Sequence, residues 1–227
     1  MMDGTRRSFD LEAIRADFPI LSRKVHGKPL VYLDSAASAQ KPAQVLDALM
    51  SAYQDTYANV HRGLHFLSEA STDLYEAVRG KVAGFIGAAS GDEIVLTSGA
   101  TMSLNLIARC SAQPRLQPGD EILISIAEHH ANIVPWQMVA EATGARVRAF
   151  TLEDDGAFSM ARLKAEMSER TRIISVPHVS NVLGTVFPVA EIAELAHDAG
   201  ALMVVDGCQG VVLSLIHISE PTRRTQI

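Results

Sequence analysis

The chain has 227 residues, of which 48% are apolar, 20% charged and 5% aromatic, and its formal net charge is -6. This is the composition of a globular protein with one large domain or two small ones, and the acidic balance argues against nucleic acid or a membrane surface as the main partner. No apolar run reaches the roughly 18–20 residues of a membrane helix, MMDGTRRSFDLEAIRADFP lacks the apolar core of a signal peptide, and two cysteines make no disulfide framework, so a cytoplasmic protein is expected.

In chain order, FDLEAIRADFP predicts a short helix ended by Pro19, and LVYLDSAA a short strand. PAQVLDALMSAYQDTYA and LSEASTDLYEAVRGKVAGFIGA predict two longer helices, with NVHRGLHF as the loop between them. From about Ser90 a regular rhythm begins. EIVLTSG predicts a buried strand and ATMSLNLIARCSA a helix, in which Cys110 beside Leu106 and Ile107 is expected in the core. DEILISIAE predicts a strand, and NIVPWQMVAEATG a helix capped by Gly144. RVRAFTL predicts a strand, and SMARLKAEMSER a helix with Ser159 as its N-cap. RIISVPHVS predicts a strand, PVAEIAELAHDAG a helix with Pro188 near its first turn and Gly200 just past its end, and LMVVDG the last strand. Short apolar runs alternating with helical periods predict an α/β fold, a mostly parallel sheet with helices on both faces.

In such sheets ligands bind beyond the carboxyl ends of the strands. Four groups fall there: Ser98-Gly99-Ala100-Thr101, Glu128-His129-His130, His178-Val179-Ser180-Asn181 and Asp206-Gly207-Cys208-Gln209. The first opens a helix, whose free amides and dipole suit a phosphate, although a purely structural turn is the equal alternative. An acid after a strand serves as a helix cap more often than as a catalytic group. His129 and His130 read equally as a surface pair, and as neighbours they do not share a face for chelating one metal, so no metal site is expected. His61 and His65 have i,i+4 spacing, but Gly63 between them weakens the helix they would need. Cys208 invites a nucleophile reading, yet no histidine base is placed near it by the local sequence.

Taken together, YLDSAASAQKP, YANVHRGLH, EHHANIVPWQ, HVSNVLGT and VDGCQ resemble, in order and spacing, the Suf-type (group II) cysteine desulfurases, from about Phe9 to about Val211. These are class V aminotransferase-family enzymes of the pyridoxal 5′-phosphate (PLP) fold type I. The resemblance implies residues 1–30 as part of a small domain and 31–212 as part of the large PLP-binding domain. It implies that Ala100 and Thr101 bind the PLP phosphate, that His129 stacks on the ring as candidate acid/base, and that Asn181 and Gln209 contact the ring oxygen. It implies that Asp206 pairs with the protonated pyridine nitrogen, that Ala36 and Ala37 lie near the substrate, and that His61 and Arg62 lie near a homodimer interface. The implied reaction takes L-cysteine to L-alanine and an enzyme persulfide. Its sulfur goes to an acceptor protein of the Suf system for iron–sulfur cluster assembly. Selenocysteine lyases and other class V lyases or epimerases are the neighbouring alternatives. The sequence departs from the usual pattern at Ala100, often Thr, at Met102, often acidic or His, and at Cys208, often Ala.

The family's PLP-binding lysine, nucleophilic cysteine and substrate-carboxylate arginine match no residue here, so the chain as written is expected to be an inactive N-terminal part of the enzyme. Residues 213–227 are expected to be foreign to the gene. LSLIHISEPTR, from Leu213 to Arg223, resembles the in-frame translation of a transposon-based sequencing adapter.

Overall fold

The computed structural model describes residues 10–213. The chain forms two compact units, Met1–Glu76 and Ala77–Ile227. The segment expected to be foreign lies outside the described residues, apart from the backbone of Leu213.

In the first unit, α1 (Leu11–Ala16) starts where Asp10 Oδ1 accepts from the Ala13 amide at 3.0 Å. A two-residue hairpin follows, with β1 (Lys24–Val25) antiparallel to β2 (Lys28–Pro29). His26 and Gly27 at its turn both have positive φ, the requirement of a tight two-residue hairpin loop. The strand expected in LVYLDSAA does not form. The Tyr32 hydroxyl donates to the carbonyls of Asp34 and Ser38, closing a local turn, and among the described residues no neighbouring strand offers a ladder. α2 (Ala43–Ser51) precedes the expected loop, and α3 (Phe66–Ile86), which begins in this unit, follows it.

The second unit carries the sheet. α4 (Ala100–Leu106) leads to β3 (Glu121–Ser125), α5 (Val134–Thr143), β4 (Arg146–Phe150), α6 (Met160–Glu166), β5 (Thr171–Pro177), α7 (Val189–Asp198), β6 (Leu202–Asp206) and the short α8 (Gly210–Leu213). The four strands are parallel, in the order β4-β3-β5-β6. Side chains alternate between two cores. Ile122, Ile124, Ile173 and Val204 pack with Leu104, Trp136 and Val139 on the α4/α5 face. Leu123, Ile174, Val176 and Met203 pack with Leu163 and Ile192 on the α6/α7 face. Each fully buried Leu or Ile contributes roughly 1.5–3 kcal/mol relative to exposure. That is why these strands read as continuous apolar runs rather than as alternating ones.

This order places a switch point between β3 and β5. The β3–α5–β4 unit winds outward one way and β5–α7–β6 the other, and right-handed crossovers therefore put α5 on one face and α6 and α7 on the opposite one. The crevice outside the carboxyl ends of β3 and β5 is where such a sheet admits a ligand.

Two expectations fail here. EIVLTSG pairs with none of the four strands, and although Ile94 is buried, Val95 is 74% exposed. An apolar run becomes a strand only beside a partner, and none lies along it among the described residues. Cys110 is exposed rather than in the core. Leu104, Ala108 and Ala112 form the buried stripe of this stretch, and Cys110, two residues from both Ala108 and Ala112, falls on the opposite side.

Candidate functional site

The end of β3 carries a buried hydrogen-bond network. Ser125, the last strand residue, donates its hydroxyl to Glu128 Oε1 at 2.7 Å. Asn132 Nδ2 donates to Glu128 Oε2 at 2.7 Å, and Asn132 Oδ1 accepts from Trp136 Nε1 and from Ser175 Oγ, both at 2.8 Å. All five residues are buried, and every polar atom named has a partner, as a dry network requires. Burial pushes the Glu128 carboxyl up from 4.5 to about 7. The hydrogen bonds from Ser125 and Asn132 oppose that rise, and the Asp206 carboxylate adds to it.

His129 follows on the exposed side of this turn. Its Nδ1 accepts from the Ala131 amide at 3.1 Å, so the neutral ring carries its proton on Nε2. The His130 ring stands edge-on to it, with centroids 6.2 Å apart. α4 packs against the His130–Asn132 turn. At the start of α4, Gly99 has φ 145° and ψ 171°, a region only glycine occupies readily. Met102 and Ser103 make the first helical bonds, to the Gly99 carbonyl, so the Ala100 and Thr101 amides precede the ladder and are suited to an anion.

The β5 end is tied to the β3 end. Ser180 Oγ donates to the Ala127 carbonyl at 3.3 Å, and Asn181 follows as an exposed turn residue. At the β6 end, Asp206 is half-buried and its Oδ1 accepts from the Cys208 amide at 3.0 Å. Asp206 therefore does cap its turn, with a second carboxylate oxygen still available to a ligand. Gln209 is half-buried in the same turn. Burial, with a further push from Asp206, raises the Cys208 thiol above its ordinary range, the opposite of what a nucleophile needs.

The remaining predicted residues belong to the first unit. Ala36 and Ala37 sit in the exposed turn after Asp34, where the Ala37 amide donates to the Asp34 carbonyl at 3.2 Å. His61 is left-handed, with φ 67°, and is not helical. Its Nε2 lies 2.8 Å from Glu76 Oε1, and its ring stacks edge-on against Tyr75. Arg62 is exposed, its amide bonded to the Val60 carbonyl at 3.0 Å. Among the described residues, no group of three or more His, Cys, Asp or Glu could hold a metal ion. None of the described helices is long and apolar enough to cross a membrane.

The network centred on Glu128 was missed by reading each strand end separately. Its signal is the i+4 spacing of Glu128, Asn132 and Trp136, two polar residues of the turn leading in register to the buried Trp136 of α5.

The donor set fits PLP. Amides at a helix start suit its phosphate, a half-buried carboxylate suits its pyridinium, and an exposed imidazole suits its ring face. The comparisons agree. The cysteine desulfurase of Dickeya dadantii (strain 3937) is 51% identical over 210 residues, covering 92% of this chain and 51% of that protein. The crystal structure of the Escherichia coli cysteine desulfurase CsdA superposes with a TM-score of 0.79 at 43% identity, covering 90% of this chain and 50% of that one. A C-DES variant with glycine covalently linked to its PLP cofactor shares the fold, with a TM-score of 0.70 at 21% identity, over 86% of this chain and 49% of that one. This chain thus spans about half the length of the relatives it matches. The α/β architecture is that of the PLP-dependent fold type I. The aminotransferase class-V model matches residues 31–221, which takes in the sheet and every strand end described above; the chain belongs to that family.

Proposed function

We propose that the whole protein is a PLP-dependent cysteine desulfurase of the Suf type. It converts L-cysteine to L-alanine and delivers the sulfur, as an enzyme persulfide, to a Suf acceptor protein for iron–sulfur cluster assembly. In this reading it works as a cytoplasmic homodimer. The observation that carries the reading is the half-buried Asp206 carboxylate at the end of β6, in a chain 51% identical to a cysteine desulfurase.

Bound PLP supplies an electron sink for chemistry at the substrate α-carbon. The chain's residues do the rest. Asp206 holds the proton on the pyridine nitrogen. Ala100 and Thr101 bind the phosphate through the start of α4. Asn181 and Gln209 orient the ring through its oxygen. His129 covers the ring and moves a proton at Nε2. Ala36 and Ala37 are assigned to substrate contact, and His61 and Arg62 to the dimer interface. Residues 213–227 are assigned to adapter sequence joined to the gene. The test is alanine formation from L-cysteine by the purified whole protein, with L-selenocysteine and other amino acids as competitors. Turnover of cysteine with sulfur transfer to an acceptor is expected, and preference for an amino acid without sulfur overturns the reading.

A further inference from the structure

We propose that Glu128 is a positioning residue for His129: a buried carboxyl that fixes the turn carrying the imidazole, and that takes up and releases a proton without breaking its hydrogen bonds. This rests on the reading of His129 as the ring-covering acid/base, and it adds a residue to which that reading gives no role.

The geometry carries the inference. Glu128 is only 9% exposed and immediately precedes His129 in the chain. Its two oxygens grip both sides of the turn, Ser125 at the strand end and Asn132 at the far end of the His130–Asn132 turn. Asn132 is itself anchored to α5 by Trp136 and to β5 by Ser175. The turn that displays His129 is therefore pinned from β3, β5 and α5 through one carboxyl.

The same contacts accommodate a proton. With Glu128 ionised, the Ser125 hydroxyl donates to Oε1 at 2.7 Å. With Glu128 protonated, a rotated Ser125 hydroxyl accepts from the carboxylic acid, beside the Ala127 amide that already donates to Ser125 Oγ at 3.2 Å. Only a hydroxyl rotor has to turn, and Asn132 can donate to Oε2 in both states. Burial sets the carboxyl near neutrality, at about 7, which makes exchange accessible. The charge acting on it is Asp206 from the β6 end; His129 and His130 follow it in the same turn but are exposed, and α4, packed on the turn, brings no charge.

The test needs neither cofactor nor substrate. In the whole protein, free of PLP and labelled with 5-fluorotryptophan, the Trp136 fluorine resonance is identified by its loss in Trp136→Phe. The His129 ring proton resonance is identified by its loss in His129→Asn. Between about pH 5 and 9 the Trp136 signal should titrate with a midpoint near 7, keep that titration in His130→Asn, and become flat in Glu128→Gln. The His129 ring proton resonance should move or broaden in Glu128→Ala, which removes both anchors of the turn, and stay close to its wild-type position in Glu128→Gln, which keeps them. Glu128→Asp, which keeps the charge, should restore a Trp136 titration. A flat wild-type signal, or one unchanged in Glu128→Gln, overturns the proton exchange. A His129 resonance in Glu128→Ala that matches the wild type overturns the positioning role. Normal titrations in a protein that does not turn over cysteine would count against the desulfurase reading alone.

Discussion

Ser175 Oγ donates to Asn132 Oδ1 at 2.8 Å, joining residues 43 apart, one in the middle of the sheet and one in the turn beyond β3. Ser175 occupies the row of β5 that faces Ile173's core, where an apolar residue would be expected. The hydroxyl is there because Asn132 needs it.

Truncating the two ends of this bond should cost different amounts. Ser175→Ala leaves Asn132 Oδ1 with its Trp136 partner, so a loss of about 1 kcal/mol is expected. Asn132→Ala strands Glu128, Trp136 and Ser175 together in a buried site, and a loss on the order of 3–5 kcal/mol is expected. Urea unfolding of both variants checks the ratio.

Stability should depend on pH through Glu128. Its folded-state value near 7 lies above the 4.5 of the unfolded chain, so the folded state holds the proton more tightly. The contribution is full below about 4.5, is lost as pH rises to about 7, and amounts to on the order of 3 kcal/mol. Melting temperature should fall across that window in the wild type, and Glu128→Gln should flatten the fall.

β3, β5 and β6 were legible because burial makes each a largely apolar run, while the edge strand β4, RVRAF, was legible from its flanks; Gly144, Ser159, Pro188 and Gly200 punctuate them. EIVLTSG was not legible as a loop, because its composition is that of a strand and pairing is not written in a single segment. Cys110 was misplaced because neighbours in sequence do not share a helix face: the buried stripe runs through Leu104, Ala108 and Ala112, and Cys110 lies opposite it. Strand ends located His129, Asn181 and Asp206 as candidates, but the sheet rule names places and not chemistry. Their roles came from the resemblance. The double duty of Asp206, capping its own turn while keeping an oxygen available, needed coordinates.

In the whole protein, Asp206→Asn should lower alanine formation by on the order of 10² to 10³, equal to about 3–4 kcal/mol. In the proposed reading, the amide keeps the cap to Cys208 and removes the charge that would hold a proton on the pyridine nitrogen. PLP occupancy, read from its visible absorbance, should persist, since Thr101 and its helix start are untouched. Near-normal turnover with lowered stability would leave Asp206 as a cap alone.

The tail makes a prediction of another kind. Amplified from its source genome, the locus should depart from this sequence at or near Leu213 and continue through a lysine and, later, a cysteine. The family match extends to residue 221, into the disputed segment, so sequencing the locus is the deciding measurement. Recovery of LSLIHISEPTR from genomic DNA outside any library would overturn the assignment.

Gly210 sets a limit on redesign. A Cβ built there falls 2.5 Å from Cγ and 2.7 Å from Cβ of His178, a ring buried at the end of β5. Position 210 therefore admits no side chain unless the ring moves. The lips of β5 and β6 behave as one casting, and mutagenic libraries aimed at new substrates gain from leaving Gly210 fixed while varying Cys208, whose side chain is exposed to solvent.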